Sequence, residues 1–587
     1  MNRTKTSLLT VAFSALCAFC NVVVAQDSSD YLKAAGTVDK FIEAGIVKRG
    51  ISPSMRTDDF EFIRRAYLDA VGFTPPADSV VAFAQNKNQN KRELLINDLV
   101  NSPQYIERWA DVWTTMIVGR RNDRNRSGVN RATMKSWMKE SLLRNKGWDQ
   151  ITREILTAAG TNEENGGVNF FAKYGPAQKD TAAAVSKIFL GVRISCAQCH
   201  DHKFEKWKQE DFWSLASFFS RSPQNMVRPR DRSELPYYVM KDNPGGGEVA
   251  SVIDDGPKKN VRVVAKSFLD GEPVDTGKLS NPRIELARWI TSPKNPFFAP
   301  AIVNRMWGEL FGRGMVHPVD DFRDTNPPTH PELMNYLSED LVAHDYDLKY
   351  LTRVLMNSMA YQLSARVTRE EYEAKTKGDE KALATLKEKI ELAFARARFR
   401  PMTPEQMFES VVAATGGGAE IADATSRAEL ERQRSSYLNL FVTLLDNDEG
   451  VEQTDFEGTI PQALTLMNGG LLNGRISAGR GFITTLLEPQ RRFSIPTRID
   501  YIFLQAVGRT ANNKEKQDLV GLIQSRVRDA QTGAALGATG GGQGNPTPPP
   551  GGNAQAALAQ AVQQAERRVL EDTLWALLNS SEFMFNR

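Results

Sequence analysis

The residues with the clearest chemistry are Cys196 and Cys199, two cysteines separated by two residues and followed directly by His200. Two thiols at this spacing can bond the two vinyl groups of a haem, and the imidazole that follows then lies under the iron. The run therefore predicts a haem c attachment site. In this interpretation Cys196 and Cys199 form the thioethers, and Nε2 of His200 is the proximal iron ligand.

Three other interpretations use the same residues. A Cys196–Cys199 disulfide would be a short loop of the redox-active kind, but it gives His200 and His202 no role. A zinc site could use all four side chains, although four ligands within seven residues are cramped for a tetrahedron. Two inert thiols would be unusual in an oxidising compartment. The sequence favours the haem and leaves the alternatives open.

A second axial ligand for the iron is not identifiable from the sequence. His202 is too close to His200 to reach the opposite face of a haem easily. His317 and His330 are the other weak candidates for metal ligands. A five-coordinate iron with one open position is equally compatible with the sequence.

A carboxylate cluster, Asp320, Asp321 and Asp324, lies beside His317 and Arg323. Such a group could bind a cation or act in acid–base catalysis, which makes a hydrolase the third functional hypothesis. The spacing matches no calcium-binding loop. A loop held by salt bridges is therefore the favoured interpretation of this cluster.

Helices are expected on both sides of the cysteine motif. Ala184, Ile188 and Val192 have helical spacing and lead into the motif. After it, Glu210 and Asp211 suit the first turn of a helix, because carboxylates there oppose the positive end of the helix dipole. The motif is thus predicted to occupy a turn between two helices.

The N-terminus has the pattern of a secretory signal peptide. Arg3 and Lys5 precede an apolar stretch, Leu8–Phe19, and small residues end at Ala25, where cleavage is expected. The apolar stretch is short for a membrane anchor, and no later segment could span a bilayer. The segment carries two of the four cysteines, so the mature chain would keep only the motif pair. Export to the periplasm or cell surface agrees with haem c, which is attached outside the cytoplasm.

The elements predict a mainly α protein, α+β overall, with two helical domains and a small β-containing insert between them. The strands of the insert are predicted from pieces such as Tyr237–Met240. Helix starts are predicted at Ser102, Thr329 and Thr403, each a hydroxyl residue placed to cap a first turn. The expected divisions are a signal peptide at 1–25, a helical cytochrome-like domain at 31–222, the insert at 223–280, a helical domain at 281–530, a flexible Gly/Ala/Pro-rich loop at 531–560 and closing helices at 561–587.

Composition limits the possible partners. The chain has 587 residues and a formal net charge of +3, without the concentrated basic footprint of a nucleic-acid-binding protein. A redox partner of unknown identity or an extracellular polysaccharide system fits an exported protein better. The alternative to electron transfer is a non-enzymatic scaffold, or a carbohydrate-associated binding protein, in which Cys196–Cys199 is a disulfide. No motif decides whether the protein is an enzyme.

Several stretches resemble the planctomycete secreted cytochrome-like proteins. These combine domain of unknown function 1549 with domain of unknown function 1553. The resemblance to the first domain rests on Arg64–Pro76, Tyr105–Trp109 and Phe189–Trp207. The resemblance to the second rests on Asn295–Ala299, Val303–Trp307, Phe311–Gly314, Asp320–Phe322 and Pro327–Leu333. It implies a secreted, cytochrome-like chain and assigns no reaction.

Overall fold

The structure is a computed structural model. It describes residues 30–120, 127–175, 177–203, 205–220, 222, 224–231, 233–242, 267–269, 271, 281–366, 376–416, 424–445, 474–476, 481–539 and 554–586. The predicted signal peptide, 1–25, lies outside these ranges. So do residues 243–266 and 272–280 of the predicted insert.

The fold is mainly helical, as the sequence predicts. The principal helices are α1 (30–48), α2 (Asp59–Ala70), α3 (Ala77–Gln85), α4 (Lys91–Val100), α5 (Pro103–Val118), α6 (Arg131–Leu143), α7 (Trp148–Leu156), α8 (Val168–Tyr174), α9 (Gln178–Leu190), α10 (Gln209–Ser217), α11 (Pro282–Ile290), α12 (Phe298–Phe311), α13 (Pro331–Ala343), α14 (Leu348–Asn357), α15 (Glu380–Leu392), α16 (Pro404–Ala414), α17 (Ala424–Leu445), α18 (Phe482–Leu486), α19 (Ile495–Val507), α20 (Asn513–Thr539), α21 (Ala554–Leu578) and α22 (Ser581–Met584).

Two small antiparallel sheets complete the described structure. The larger has the order β1–β3–β2 and consists of β1 (Gly160–Thr161), β2 (Gln224–Val227) and β3 (Tyr237–Met240). In its register, Met240 lies opposite Gly160 on one side and Gln224 on the other. The strand predicted at Tyr237–Met240 is therefore confirmed. The smaller sheet pairs β4 (Arg400–Pro401) with β5 (Phe585–Asn586).

The chain divides into two compact units, and the first comprises Met1–Arg56 and Arg92–Arg398. Its core contains Trp113, Trp148 and Trp307, each at most 1% exposed. The rings of Trp113 and Trp148 lie 5.0 Å apart, centroid to centroid. Large aromatic rings bury much apolar surface, so these side chains stabilise the helices that carry them.

The second unit comprises Thr57–Lys91 and Phe399–Arg587, two stretches that are far apart in the sequence. Arg64 on α2 is 1% exposed and donates to the carbonyl oxygens of Ala506, at 3.2 Å, and Phe583, at 2.8 Å. Asn586 on β5 donates to Asp69, also on α2, at 2.7 Å. A buried guanidinium needs such acceptors, so these bonds tie the early helices to the end of the chain.

Two of the three predicted helix caps are confirmed. The hydroxyl of Ser102 accepts from the Tyr105 N–H, and Thr403 forms a complete capping box with Gln406. The third prediction is wrong by one residue, because the N-cap of α13 is His330 and not Thr329. Proline is favoured at the first helical position, and the residue directly before it takes the cap position.

The segment 531–560, predicted as a flexible loop, is helical wherever the structure describes it. Helix α20 continues to Thr539 and α21 begins at Ala554. Alanine has the highest helix propensity of all residues, and it is frequent at both ends of the segment. The Gly/Pro-rich middle, 540–553, lies outside the described residues.

Candidate functional site

The motif follows α9, which ends in a tight turn. Gly191 caps α9 with a φ of 68°, a left-handed conformation that glycine adopts without strain. A Cβ at this position would lie 2.8 Å from the ring of Phe322, so the close approach also requires glycine. The chain then enters a 3₁₀ helix, Ser195–Gln198, which holds the first cysteine. The predicted position between two helices, α9 and α10, is confirmed.

The two cysteines, one in the 3₁₀ helix and one directly after it, are exposed to solvent. Ala197 between them is fully buried, whereas Cys196 and Cys199 are both exposed. The buried methyl group anchors the turn to the core beneath it. The two thiols are free in this structure, so both sulfur atoms are accessible to a reaction partner.

Side chains of α10 fix the other end of the motif. The carbonyl oxygen of Gln198 accepts from the indole N–H of Trp213 at 3.0 Å and from the Gln209 side chain at 3.3 Å. The backbone N–H of Gln209, at the start of α10, donates to the carboxylate of Asp201 at 2.9 Å. These bonds satisfy polar groups in the turn and hold it against the helix.

His200 is exposed, and one hydrogen bond determines its tautomer. Its Nδ1 lies 2.8 Å from the backbone carbonyl oxygen of Asp201. A carbonyl oxygen only accepts, so Nδ1 must carry the proton. In the neutral imidazole Nε2 then has the lone pair, which is the arrangement of a metal-binding histidine whose other nitrogen is held by a carbonyl group.

The three side chains fit the thioether and ligand positions that a haem c would use. Attachment needs two accessible thiols and a nearby imidazole with a free basic nitrogen, and Cys196, Cys199 and His200 provide these groups within one exposed turn. His202 differs from His200, because its Nδ1 accepts a hydrogen bond from the Glu205 N–H at 3.0 Å.

The structure does not gather the predicted metal ligands into a cluster. Among the described residues, no group of three or more His, Cys, Asp or Glu side chains could share a metal ion. The zinc arrangement of Cys196, Cys199, His200 and His202 is thus not assembled in this part of the chain.

The two distant histidines have different surroundings. His330 is 5% exposed, and its Nε2 would lie 2.2 Å from a Cβ placed on Gly45, so the ring packs directly on α1. Burial, together with the charge of nearby Arg49, lowers the pKa of His330 to about 4. His317 is half-buried in the loop before Asp320, and its carbonyl oxygen accepts from Asn326 at 3.3 Å.

The three aspartates of the predicted cluster have separate surroundings and do not form one site. Asp320 is fully buried and forms ion pairs with Arg193 and Lys187. Asp321 pairs with Arg323 at 3.3 Å, and Asp324 is exposed. Both oxygens of the Asp320 carboxylate face cations, and this geometry agrees with the predicted salt-bridged loop.

Two family models match the chain. The first, described as a protein of unknown function (DUF1549), matches residues 37–224. The second, described as a protein of unknown function (DUF1553), matches residues 282–523. The chain belongs to the family that combines these two domains in this order. This confirms the resemblance found in the sequence. Neither the curated proteins nor the solved structures contain a match to the chain.

The DUF1549–DUF1553 domains and the compact units divide the chain differently. The DUF1549 match includes residues 57–91, which belong to the second unit, and the DUF1553 match continues past residue 398 into the same unit. The cysteine motif and the aspartate loop come from different matches but lie in one unit. Among the described residues, no helix has both the length and the apolar character needed to cross a membrane.

The partners of Asp320 were not predicted from the sequence. Arg193 and Lys187 precede it by more than 120 positions, and nothing in the local sequence of either points to Asp320. One feature of the sequence did point to burial of this carboxylate, because Asp320 closely follows the apolar residues Met315, Val316 and Val319. A carboxylate in apolar surroundings implies a buried cation, but the sequence offers many arginines and lysines as that cation.

Proposed function

We propose that this protein is an exported cytochrome-like protein with one covalent haem c, acting in electron transfer or related redox chemistry. Cys196 and Cys199 form the thioethers, and Nε2 of His200 is the proximal ligand. When bound, the haem supplies a one-electron redox centre whose potential depends on its ligands and surroundings. The protein's part is to hold the group and to ligate its iron.

The observation that carries the proposal is the state of the three side chains in the turn. Both thiols are exposed and unbonded, and the carbonyl oxygen of Asp201 fixes the His200 tautomer that leaves Nε2 free. A disulfide scaffold would not need this tautomer, and a hydrolase at Asp320 would need a carboxylate free of its two cations.

Export is part of the same proposal. Haem c attachment takes place outside the cytoplasm, and the basic, then apolar, then small-residue pattern up to Ala25 would direct the chain there. A redox partner or an extracellular polysaccharide partner can be sought once the haem-loaded protein is available.

The test is intact-mass measurement of the full chain, exported from cells that contain the haem-attachment machinery. In each attachment reaction, the sulfur bonds one vinyl carbon and the thiol hydrogen goes to the other, so no atom leaves. The mature chain is therefore expected to gain about 616 Da, and its haem absorption to survive acid–acetone extraction.

Matched variants separate attachment from ligation. Replacing both Cys196 and Cys199 with alanine should abolish the mass increment. His200→Ala should alter the haem absorption spectrum, whereas His202→Ala, two residues away, should leave it unchanged. A wild-type chain that is exported without the increment would contradict the proposal, and a thiol titration would then show whether a disulfide had formed instead.

A further inference from the structure

A loop from the DUF1553 match contacts the chain on both sides of the cysteine motif. Before the motif, the Phe322 N–H donates to the carbonyl oxygen of Gly191 at 2.9 Å. After it, the Thr325 hydroxyl donates to the Glu205 carboxylate at 2.7 Å. The motif, Cys196–His200, lies between these two contacts in the sequence. The loop that includes Asp320, Phe322 and Thr325, called the brace below, therefore holds the segment that carries the motif.

Asp320 is the charged centre of this brace. Its side chain is 0% exposed, whereas those of Arg193 and Lys187 are 42% and 34% exposed. One carboxylate oxygen accepts from Nε of Arg193 at 2.9 Å and also from Nη2, and the other lies 3.3 Å from the Lys187 ammonium. Removing one of the two cations would leave the buried charge of Asp320 less compensated, which is unfavourable.

The brace is itself anchored in the core. Asn304 on α12 is fully buried, and its amide donates to the carbonyl oxygens of Val316, at 2.8 Å, and Val319, at 3.1 Å. The same side chain accepts from the Val316 N–H at 3.0 Å. The backbone immediately before Asp320 is thereby fixed to α12, so the carboxylate has a rigid support.

We infer that Asp320 is a positioning residue, which orients the haem-attachment turn by holding Arg193 three residues before Cys196. The inference rests on the proposed function. It assigns the buried carboxylate a mechanical and electrostatic role in place of acid–base chemistry. Preorganisation of this kind holds binding groups in the productive geometry through residues that do not touch the ligand.

Hydrogen–deuterium exchange of the full chain without haem tests the inference, with Asp320→Asn as the main variant. The amide retains the shape of the side chain and removes its charge. Exchange in residues 195–200 should accelerate at least about tenfold, the factor that corresponds to loss of one charge-assisted hydrogen bond. Asp324→Asn, an exposed carboxylate in the same loop, is the matched control and should leave exchange unchanged.

A second variant tests the same ion pair in case Asp320→Asn does not fold. Arg193→Gln removes the partly exposed partner, and it should accelerate exchange in the same residues. Because the two side chains act together, the double variant should add little to either single change. Once loaded with haem, Asp320→Asn should also shift the midpoint potential and the absorption spectrum, whereas Asp324→Asn should not.

Three results would overturn the positioning role: unchanged exchange at 195–200 in both variants, acceleration spread evenly over the first unit, or additive effects in the double variant. The exchange measurement needs no haem. A failure of haem attachment in the wild-type chain would therefore contradict the proposed function without deciding the role of Asp320.

Discussion

Acidification should destabilise the first unit through one buried imidazole. His330 caps α13 with its ring packed on Gly45, and its pKa is lowered to about 4 by burial and then by the charge of Arg49. In the unfolded chain the same ring titrates near its ordinary value of about 6.5. The unfolded state therefore binds the proton more readily than the folded state.

The sign and size of the effect follow from these two values. Above about pH 6.5 the ring is neutral in both states, and its full contribution to stability is present. As the pH falls from about 6.5 towards 4, the unfolded chain gains a proton that the folded chain excludes, and stability is lost. A difference of about 2.5 pKa units corresponds to a loss of about 3 kcal/mol in the free energy of unfolding.

Urea unfolding at about pH 7.5 and about pH 4.5 measures this loss. His330→Gln should be less stable than the wild type at the higher pH, because it loses packing. It should also show a smaller fall in stability between the two pH values, since the variant has no titrating ring at this position. Equal falls in the wild type and the variant would refute the assignment of acid sensitivity to His330.

Two further predictions concern packing and capping. Gly45→Ala places a Cβ 2.2 Å from Nε2 of His330, and the overpacking should cost about 1–3 kcal/mol of unfolding free energy in denaturant titrations of the first unit. A variant as stable as the wild type would mean that the ring does not sit on α1. Thr403→Ala removes one half of the capping box on α16 and should cost about 1 kcal/mol, whereas Thr403→Ser should keep most of the stability.

Local features were predictable from the sequence because neighbouring residues determine them. The turn that carries Cys196 lies between helices whose ends are marked by Gly191 and by the acidic first turn at Asp211. The hydroxyl caps at Ser102 and Thr403 also depend on residues no more than three positions away. The helical class and the strand at residues 237–240 follow from the same short-range patterns.

Contacts between distant residues could not be predicted in this way. The Arg193–Asp320 pair joins positions 127 residues apart, and nothing in the local sequence of either selects the other. The one-residue error at α13 has a different origin, since Pro331 and Thr329 offered competing start signals and the proline prevailed. The helical ends of the segment 531–560 show that alanine content outweighed the nearby glycines.

The discontinuity of the second unit constrains how the chain reaches its native state. Helices α2 and α3 are synthesised early, but the rest of their unit comes only after residue 398. Until then they expose surface that favours aggregation, and closing so long a loop adds an entropic cost. Fragments cut at the family boundaries, 37–224 or 282–523, would each carry an incomplete share of this unit and should not fold as the intact protein does.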